Sequence, residues 1–357
     1  MKKILHIIDN FGSGGGAEHI AFGYINNLEG YENHLIYFKK PDDMVPLLHP
    51  AIKVNFFEIK SKLDLFKAAQ FVKKYIKENT IDAIHAHMVD AIMIAKLARV
   101  KHIPLFITYH SVVFRRFKKN GMITFPYLVH VLSNKKNQIS IGVSNTVLNI
   151  FRTQYGGTQK EALLYNFINE DFFNRISEKK SHSNFTLTWV GNIRADKNFD
   201  VLVNAFDLDL KNDNNIVTDV WGENRSNIDY EQLLNQKQIH NLRLLGNTKE
   251  IPTVLPQYNL FLSTSLNESF GLAVMEAMAL KVPVLLSDIP AYRELYNGMA
   301  LFFKPDDPKD LVKKIKYAQQ SPKELQQLSS TAFEFVKKFT LQNHLVELKK
   351  IYEKYIK

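Results

Sequence analysis

The chain has 357 residues, of which 45% are hydrophobic and 23% are charged, a composition typical of a globular protein long enough for two domains. It contains no cysteine, which excludes disulfides and thiolate metal sites, and no apolar run approaches the ~18 residues of a membrane-spanning helix. The net charge of +10 is uneven, since residues 1–170 hold 22 Lys+Arg against 13 Asp+Glu. A basic half indicates an anionic partner, either a membrane surface or a nucleic acid.

The N-terminus carries Lys2 and Lys3, but its apolar run is too short for a signal peptide and is interrupted by His6. Beyond it, strand-like and helical stretches alternate, which predicts βα units and a parallel sheet. The strands predicted in the first half are Ile4–Ile8, His34–Phe38, Val54–Ile59, Ala83–Ala86, Leu105–Tyr109 and Ile139–Val143. The helices predicted there are one that ends near Leu28, then Leu63–Glu78 and Ala91–Val100.

A second βα series follows the polar run Ser177–Asn184, which reads as part of a linker. Its predicted strands are Phe185–Val190, Ile216–Trp221, Leu242–Leu245, Leu260–Ser263 and Val284–Ser287. The closing helices are predicted at Pro308–Gln320, Pro322–Lys338 and Leu341–Lys357. We therefore expect a first domain over residues 1–170, a linker over 171–184, a second domain over 185–338, and a C-terminal helix over 339–357 that packs on the first domain.

The segment from residue 259 to residue 280 carries the strongest local signal. Leu260–Ser263 reads as a buried strand, and helical spacing of apolar residues begins at about Phe270. A polar turn with Gly271 joins the two, and such strand-to-helix joins are where ligands bind in open α/β sheets. The helix start offers backbone N–H groups and a positive dipole end, which suit a phosphate.

Two carboxylates bracket this turn. Glu268 precedes the helix, and Glu276 lies about six residues into it, roughly 9 Å along the axis. A diphosphate at the helix start would thus have one sugar ring near each glutamate. Isolated glutamates at such a connection are usually only solvated surface residues.

The stretch Glu268-Ser-Phe-Gly-Leu-Ala-Val-Met-Glu276 resembles the signature of retaining glycosyltransferases of family 4, in which two glutamates flank seven residues that include Phe-Gly-Leu. The resemblance extends over nearly the whole chain. It implies the α/β GT-B fold, with two doubly wound Rossmann-like domains facing a central cleft. It also implies that Ser269, Phe270, Gly271, Leu272 and Glu276 bind a nucleotide-sugar donor, with Glu276 on the ribose, and that Glu268 holds sugar hydroxyls.

The first domain carries weaker matches. The Gly-rich loop with Gly15 and Gly16 is not a dinucleotide fingerprint, but its Gly-Gly-Ala-Glu ending matches family 4, in which it faces the cleft near the donor phosphates and the acceptor. His85 and His87 lie on one side of a strand end, where they could hold a metal or, as the resemblance implies, line a cleft without one. His110 falls on the family's cleft histidine, which contacts the donor sugar.

In the second domain, Arg194 and Lys197 follow a strand and a glycine, so that both could reach one diphosphate. The sequence departs from the family here, with Asn192 in place of small or aliphatic residues and Asn198 in place of glycine. The loop that contains Asn247 resembles the family loop whose backbone reads the base. Asp207-Leu-Asp209 has the form of the metal motif of the other large glycosyltransferase fold, but it lies at a helix end and is read as coincidental.

Residues 112–119 interleave apolar groups with four cations, Arg115, Arg116, Lys118 and Lys119. Such a run is often only a solvated loop. The alternatives are contact with anionic lipid, at about 1 kcal/mol per cation, and RNA binding, for which no motif is recognised. We favour the membrane or acceptor surface.

Together these features predict a retaining, metal-independent glycosyltransferase with no cofactor. It would move a hexose or N-acetylhexosamine from a nucleotide diphosphate sugar, with UDP favoured, to a lipid-linked or surface-polysaccharide acceptor. We expect a cytoplasmic protein in peripheral contact with the inner face of the plasma membrane. The alternatives are a sugar-nucleotide epimerase, an α-glucan phosphorylase, a non-catalytic nucleotide-sugar sensor and a basic nucleic-acid binder.

Overall fold

The computed structural model describes residues 1–61, 63–100, 102–111, 118–119, 122–123, 137–174, 184–248 and 250–356. The chain divides into two units. The first consists of Met1–Phe167 together with Leu341–Lys357, and the second is Ile168–Thr340. The division at residues 167 and 168 lies three residues before the boundary expected from the sequence, and Asp171–Asn174, expected to be linker, is a short helix of the second unit.

The first unit is built on a parallel sheet of seven strands in the order β3-β2-β1-β4-β5-β8-β9. In the interior of β1, six consecutive residues are buried, as expected for a strand covered on both faces. The strands are β1 Lys2–Asn10, β2 Tyr31–Lys39, β3 Lys53–Phe56, β4 Ala83–His87, β5 Leu105–Tyr109, β8 Gln138–Gly142 and β9 Glu161–Leu163. The order reverses between β1 and β4, whose carboxyl ends form the switch point of this sheet.

Helices connect these strands, and the last helix of the chain also belongs to this unit. Its buried residues include His344, whose Nδ1 donates to the carbonyl oxygen of Tyr165 at 2.8 Å. The helices are Gly16–Asn27, Asp64–Glu78, Val89–Ala98, Asn145–Tyr155 and Leu341–Tyr355. A separate two-stranded ladder pairs β6 Lys118–Lys119 with β7 Met122–Ile123.

The second unit has a parallel sheet of six strands in the order β12-β11-β10-β13-β14-β15. The order reverses between β10 and β13, which pair directly. The strands are β10 Phe185–Val190, β11 Ile216–Trp221, β12 Leu242–Gly246, β13 Leu260–Ser263, β14 Val284–Ser287 and β15 Leu301–Phe303. The helices are Asp171–Asn174, Phe199–Leu208, Tyr230–Gln236, Ile251–Val254, Leu272–Ala279, Pro290–Tyr296, Pro308–Gln320 and Pro322–Val336.

Both sheets have one strand more than the sequence analysis predicted. β9 and β15 contain three residues each and were missed because so short a segment shows no alternation. Along the described part of the chain, no helix combines the length and apolar character needed to cross a bilayer.

Candidate functional site

In the second unit, the loops that follow β10 and β13 meet at the switch point of the sheet. The backbone N–H of Leu266 donates to the carbonyl oxygen of Asp196 at 2.9 Å. The hydroxyl of Thr264, which is fully buried, donates to the carbonyl oxygen of Lys197 at 2.8 Å. Two hydrogen bonds therefore tie the loop with the predicted cations to the loop with the predicted glutamates, at the place where open α/β sheets bind ligands.

Lys197 and Glu268 form an ion pair across these loops through Nζ and Oε1. Their side chains are 21% and 14% exposed, so the pair is shielded but still reachable from solvent. Ser265 donates its hydroxyl to the same carboxylate oxygen at 3.1 Å. The structure thus brings together two predicted site residues that are far apart in sequence.

The turn after Glu268 requires glycine at position 271. Gly271 has φ +79°, and a Cβ at this position would lie 2.7 Å from Cε1 of Tyr292. The helix begins at Leu272, where the sequence had predicted a start near Phe270, because this left-handed glycine is its N-cap. The N–H groups of Val274 and Met275 both donate to the carbonyl oxygen of Gly271. The positive end of the helix dipole therefore lies at Gly271 and Leu272.

Phe270 and Ser269 complete this turn in different ways. Phe270 is 1% exposed, and its ring packs against that of Phe339 with centroids 5.9 Å apart. Its side chain is therefore part of the core, so only its backbone could contact a ligand at this turn. Ser269 is partly exposed beside it.

Two tyrosines of the helix Pro290–Tyr296 brace the turn, and sequence reasoning missed both. The hydroxyl of Tyr296 donates to the carbonyl oxygen of Phe270 at 2.6 Å. The hydroxyl of Tyr292 lies 2.7 Å from Oγ of Ser263, and burial raises the pKa of Tyr292 well above its usual value. No local pattern marks these residues, because their partners lie more than 25 positions away in sequence.

Glu276 lies one helical turn beyond the N-terminus of the helix and is partly buried. Desolvation by burial raises the pKa of its carboxyl group to about 7. Hydroxyl groups that donate hydrogen bonds to such a carboxylate stabilise its charged form, because they replace the water lost on burial. The side chain is therefore suited to bind a pair of ligand hydroxyls.

Arg194 lies one turn of a 3₁₀ helix before Lys197, whose N–H donates to the carbonyl oxygen of Arg194 at 2.9 Å. The side chain of Arg194 is 50% exposed, and its guanidinium pairs with the carboxylate of Asp196 at 3.0 Å. Asn198, which stands where the resembled family has glycine, has φ +48°. Asparagine tolerates this left-handed conformation, so the departure leaves the loop intact.

Asn247 is exposed at the carboxyl end of β12 and donates through Nδ2 to Oε1 of Glu223 at 2.6 Å. A cavity of about 580 Å³ opens beside this contact. The walls of the cavity include Ile193, Gly222, Asn224, Asp229, Leu244 and Gly246. Gly222, which follows β11, allows the backbone to lie against Gly191, which follows β10. A Cβ at position 222 would lie 2.0 Å from the carbonyl oxygen of Gly191. The predicted base loop thus borders a cavity of mixed polarity formed within the second unit.

In the first unit, the Gly-rich loop lies at the carboxyl end of β1. Gly15 is the N-cap of the helix that begins at Gly16. The carboxylate of Glu18 folds back over this cap, so that a Cβ on Gly15 would lie 2.3 Å from Oε2. Burial raises the pKa of Glu18. A side chain at position 15 would therefore have to displace the carboxylate of Glu18 from this cap.

Histidines gather at the carboxyl ends of β4 and β5. His85, which is fully buried, contacts the hydroxyls of Tyr352 and Thr108 through its two nitrogens at 2.6 and 2.7 Å. His87 contacts the hydroxyl of Tyr24 and, through Nδ1, Nε2 of His110 at 3.2 Å. Desolvation lowers the pKa of His110 to about 3, so its imidazole is neutral at physiological pH.

Nitrogens of His6, His85 and His87 come within 4.8 Å of one another, close enough for a metal site to be considered. Hydrogen bonds already engage both nitrogens of His85 and both nitrogens of His87. A metal ion would have to displace these partners in a wholly buried place without a carboxylate among the three ligands. The donor set therefore fits a hydrogen-bonded cluster better than a metal site.

The side chains predicted to face a membrane or an acceptor are not among those that the structure describes. Arg115 and Arg116 lie outside the described residues. Lys118 and Lys119 are described only as the short strand β6.

Two family models match the sequence, one to each half. The model described as Glycosyltransferase Family 4 matches residues 15–172, and the model described as Glycosyl transferases group 1 matches residues 170–335. The junction of the two matches lies close to the division between the structural units.

Two relatives that match 81% and 54% of this chain are also named as glycosyltransferases. An uncharacterized glycosyltransferase of Methanocaldococcus jannaschii is 25% identical over 311 residues, which is 81% of this chain and 80% of that protein. An O-antigen chain mannosyltransferase of Salmonella typhimurium is 29% identical over 206 residues, 54% of either chain. Among solved structures, HepE of Anabaena in complex with UDP superposes with a TM-score of 0.82 at 18% identity, covering 99% of this chain and 100% of that one.

Proposed function

Because this chain belongs to glycosyltransferase family 4 and is a glycosyltransferase with the GT-B fold, we propose that it moves a hexose or N-acetylhexosamine from a nucleotide diphosphate sugar to an acceptor hydroxyl with retention of configuration. One observation carries the proposal. The Lys197–Glu268 ion pair, the Gly271 helix start and Glu276 lie along a single strand–turn–helix segment and its partner loop. That arrangement offers a cation, a helix N-terminus and two carboxylates to one donor.

The diphosphate of the donor would bind at the helix start. Lys197 and Arg194 supply two positive charges, and the backbone from Phe270 to Leu272 supplies N–H groups at the positive end of the helix dipole. Charge-assisted hydrogen bonds of this kind stabilise the leaving diphosphate as its negative charge develops. We propose that the reaction needs no metal ion or other cofactor.

The two glutamates would hold the donor's sugars. Glu276 would accept hydrogen bonds from the ribose hydroxyls, and Glu268 from hydroxyls of the transferred sugar. The base would lie at the loop of Asn247, beside the cavity lined by Gly222 and Asn224. The structure of the Anabaena protein with UDP supports UDP as the carrier.

Retention follows from a same-face substitution. The bond from the anomeric carbon to the diphosphate oxygen breaks with its electron pair going to the diphosphate. The acceptor oxygen forms its bond on the same face, and its proton passes to the departing phosphate oxygen. His110 of the first unit would act on the transferred sugar as a neutral hydrogen-bonding group.

We propose a lipid-linked or cell-surface polysaccharide intermediate as the acceptor. The excess of 22 Lys+Arg over 13 Asp+Glu in residues 1–170 supports contact with an anionic membrane surface. The Salmonella relative, named as an O-antigen chain mannosyltransferase, supports a surface polysaccharide. In this proposal, Arg115, Arg116, Lys118 and Lys119 contribute to the surface that faces the lipid at the inner face of the plasma membrane.

The test is turnover with a panel of UDP-, GDP- and ADP-sugars in the presence of EDTA. Released nucleotide is measured with and without membrane lipid extract, and the anomeric configuration of the product is read by proton NMR. For the wild-type protein, we expect nucleotide release that rises with lipid and a product with the anomeric configuration of the donor. For Glu276→Ala, we expect no nucleotide release. An isomerised donor or a free sugar without acceptor dependence would indicate an epimerase. No turnover of any donor would contradict the proposal.

A further inference from the structure

The helix Asp64–Glu78 of the first unit has apolar residues on its outer side as well as on its inner side. The residues buried against the first unit are Leu65, Ala68, Ala69, Val72 and Ile76. On the opposite side, Leu63, the N-cap of the helix, is 73% exposed and Phe66 is 47% exposed. The fold therefore covers one apolar side of this helix and leaves the other in contact with solvent.

Lysines continue this outer side beyond Phe66. Lys67, Lys73, Lys74 and Lys77 are all exposed, and they recur at helical spacing from Leu63, so that they lie along one side of the helix. We call the surface formed by Leu63, Phe66 and these four lysines the lysine face. It extends about 21 Å along the helix axis. The sequence from Leu65 to Lys77 contains no aspartate or glutamate.

Two carboxylates border the lysine face, one near each end. Asp64 lies 3.6 Å from Nζ of Lys67, and Glu78 lies 3.7 Å from Nζ of Lys74. The two lysine side chains are 71% and 73% exposed, and ion pairs exposed to this degree are weak. Both lysines can therefore turn to another anion. Four lysines against two carboxylates leave this surface with a net charge of +2.

This combination fits an anionic lipid surface better than it fits other anions. Lysines alone suit any polyanion, because their attraction to phosphate is independent of the rest of the partner. An exposed leucine next to a phenylalanine adds affinity only where the partner offers an apolar phase, as the boundary between lipid headgroups and acyl chains does. A nucleic acid can stack a base on Phe66, but it offers nothing apolar to Leu63.

The lysine face begins at the edge of the sheet where the carboxyl ends of the parallel strands lie. The helix Asp64–Glu78 follows β3, so Leu63 and Phe66 lie at this edge. The Gly-rich loop that the family resemblance places near the acceptor follows β1 at the same edge. In the strand order, β3 is two strands from β1, which is roughly 10 Å at the usual spacing of strands. A lipid surface held by Leu63 and Phe66 would thus lie near this loop.

We propose that the lysine face binds an anionic lipid surface, with Leu63 and Phe66 inserted between headgroups and acyl chains and the four lysines on the headgroups. The inference rests on the proposed function, in which the acceptor is lipid-linked. The sequence analysis assigned membrane contact to residues 112–119. The lysine face is a separate surface of the first unit, which the sequence analysis treated only as an amphipathic helix.

The test is flotation of the whole protein with vesicles of phosphatidylcholine, alone or mixed with phosphatidylglycerol, in the absence of donor and acceptor. We expect much tighter binding to the mixed vesicles than to the neutral ones. Leu63→Ser should weaken this binding by about 5- to 10-fold, because it removes one inserted apolar group. Lys73→Glu combined with Lys77→Glu should weaken it by about 10-fold or more, because it reverses two charges at the headgroups.

Two variants of the second unit are matched controls. Leu208 is 52% exposed, so Leu208→Ser removes an exposed leucine from another surface. Lys309 and Lys313 are exposed on the helix Pro308–Gln320. Lys309→Glu combined with Lys313→Glu changes the net charge of the protein by the same amount as the test variant. Both controls should bind the mixed vesicles within about 2-fold of the wild type, since charges more than a Debye length from the lipid are screened.

Phe66→Trp measures insertion by fluorescence. The two native tryptophans, Trp189 and Trp221, both belong to the second unit. We expect the emission that this variant adds to shift to shorter wavelength with mixed vesicles and to stay unshifted with single-stranded RNA. An unshifted emission with vesicles would show that position 66 remains in water and would overturn the inference.

Three other outcomes would also overturn it. The first is no binding to the mixed vesicles, and the second is an equal loss of binding in the test and control variants. The third is binding to RNA as tight as that to vesicles, with Leu63→Ser affecting neither, which would indicate a nucleic-acid surface. Vesicle binding needs no turnover, so the two proposals fail separately. A protein that turns over donor but ignores vesicles keeps the proposed transfer and loses the lysine face, whereas vesicle binding without any turnover does the reverse.

Discussion

Nζ of Lys197 and the carboxylate of Glu268 form an ion pair between two loops, 71 positions apart in sequence. The cation proposed for the diphosphate and the carboxylate proposed for the sugar therefore neutralise each other. A bound donor would bring its own anionic group to Lys197 and its own hydroxyls to Glu268. Donor binding would thus exchange one internal ion pair for two contacts with the ligand.

Removal of the charge of Lys197 should weaken donor binding. A hydrogen bond to a charged group is worth about 1.5–3 kcal/mol, so we expect Lys197→Met to raise the KM for donor by about 10-fold or more. The matched control is Lys237→Met, which breaks the ion pair with Asp207 in the same unit, where the lysine is 31% exposed. Equal effects of the two variants on KM would show that the loss is structural.

Donor affinity should depend on the ionisation of Glu276. Burial raises the pKa of this carboxyl group to about 7, and ribose hydroxyls bind the carboxylate better than the acid. Affinity should therefore rise by about 10-fold between pH 6 and pH 8 and level off above it. The measurement is calorimetric titration with a nucleotide sugar, whose diphosphate does not itself titrate in this range. The same pH dependence in Glu276→Gln would contradict this assignment.

Gly271→Ala should destabilise the turn between Glu268 and Leu272 by more than the cost of placing alanine in a left-handed backbone conformation. Gly298 has the same φ of +79°, but a Cβ there meets nothing within 4 Å. Gly298→Ala therefore reports the conformational cost alone, about 1–2 kcal/mol. We expect denaturant unfolding to show a larger loss for Gly271→Ala, because its Cβ would collide with Tyr292, and we expect donor binding to fail in that variant only. Equal losses of stability with intact donor binding would contradict the role given to this contact.

Acid should unfold the first unit before the second. Burial lowers the pKa of His6 and His110 to about 3 and that of His344 to about 4, so these groups are neutral when folded. Their contribution to stability is complete above the unfolded pKa of about 6.5 and is lost as the pH falls below it, by about 2 kcal/mol each at pH 5. Asp9, whose pKa burial raises to about 7, has the opposite sign and offsets about one histidine.

Hydrogen exchange at pH 5 and pH 7.5, corrected for intrinsic rates, measures this difference directly. We expect the strands of the first unit to lose protection at pH 5 while β10 and β13 of the second unit keep theirs. Loss of protection in both units together, or first in the second, would show that the histidine cluster does not set acid stability.

The sequence predicted those parts of the site whose signal is local. Leu260–Ser263 was predicted with its observed bounds, because an apolar run bounded by turn residues is a local pattern. The sequence predicts a helix start near Phe270, two residues early, since nothing local shows that Gly271 is left-handed. The pairing of Glu268 with Lys197 was not predicted, because it depends on two loops that meet only through the strand order.

The residues that support the site could not be predicted from the sequence either, because their partners are distant along the chain. Tyr292 and Tyr296 look like ordinary core residues of a helix, and only their folded positions bring them to Ser263 and Phe270. Likewise, His85 and His87 were recognised as a pair on one strand. Their partners Tyr24 and Tyr352 come from the first and last helices of the chain.

In the proposed function, the second unit holds a nucleotide sugar at the turn between Glu268 and Leu272. The most direct measurement is hydrogen exchange of the whole protein with and without the nucleotide sugar that it turns over. We expect slower exchange at the amides of residues 270–272 and in the loop of Lys197 in the wild type, and no such slowing in Glu276→Ala. Turnover of the donor with unchanged exchange at these amides would place the donor elsewhere and contradict the claim.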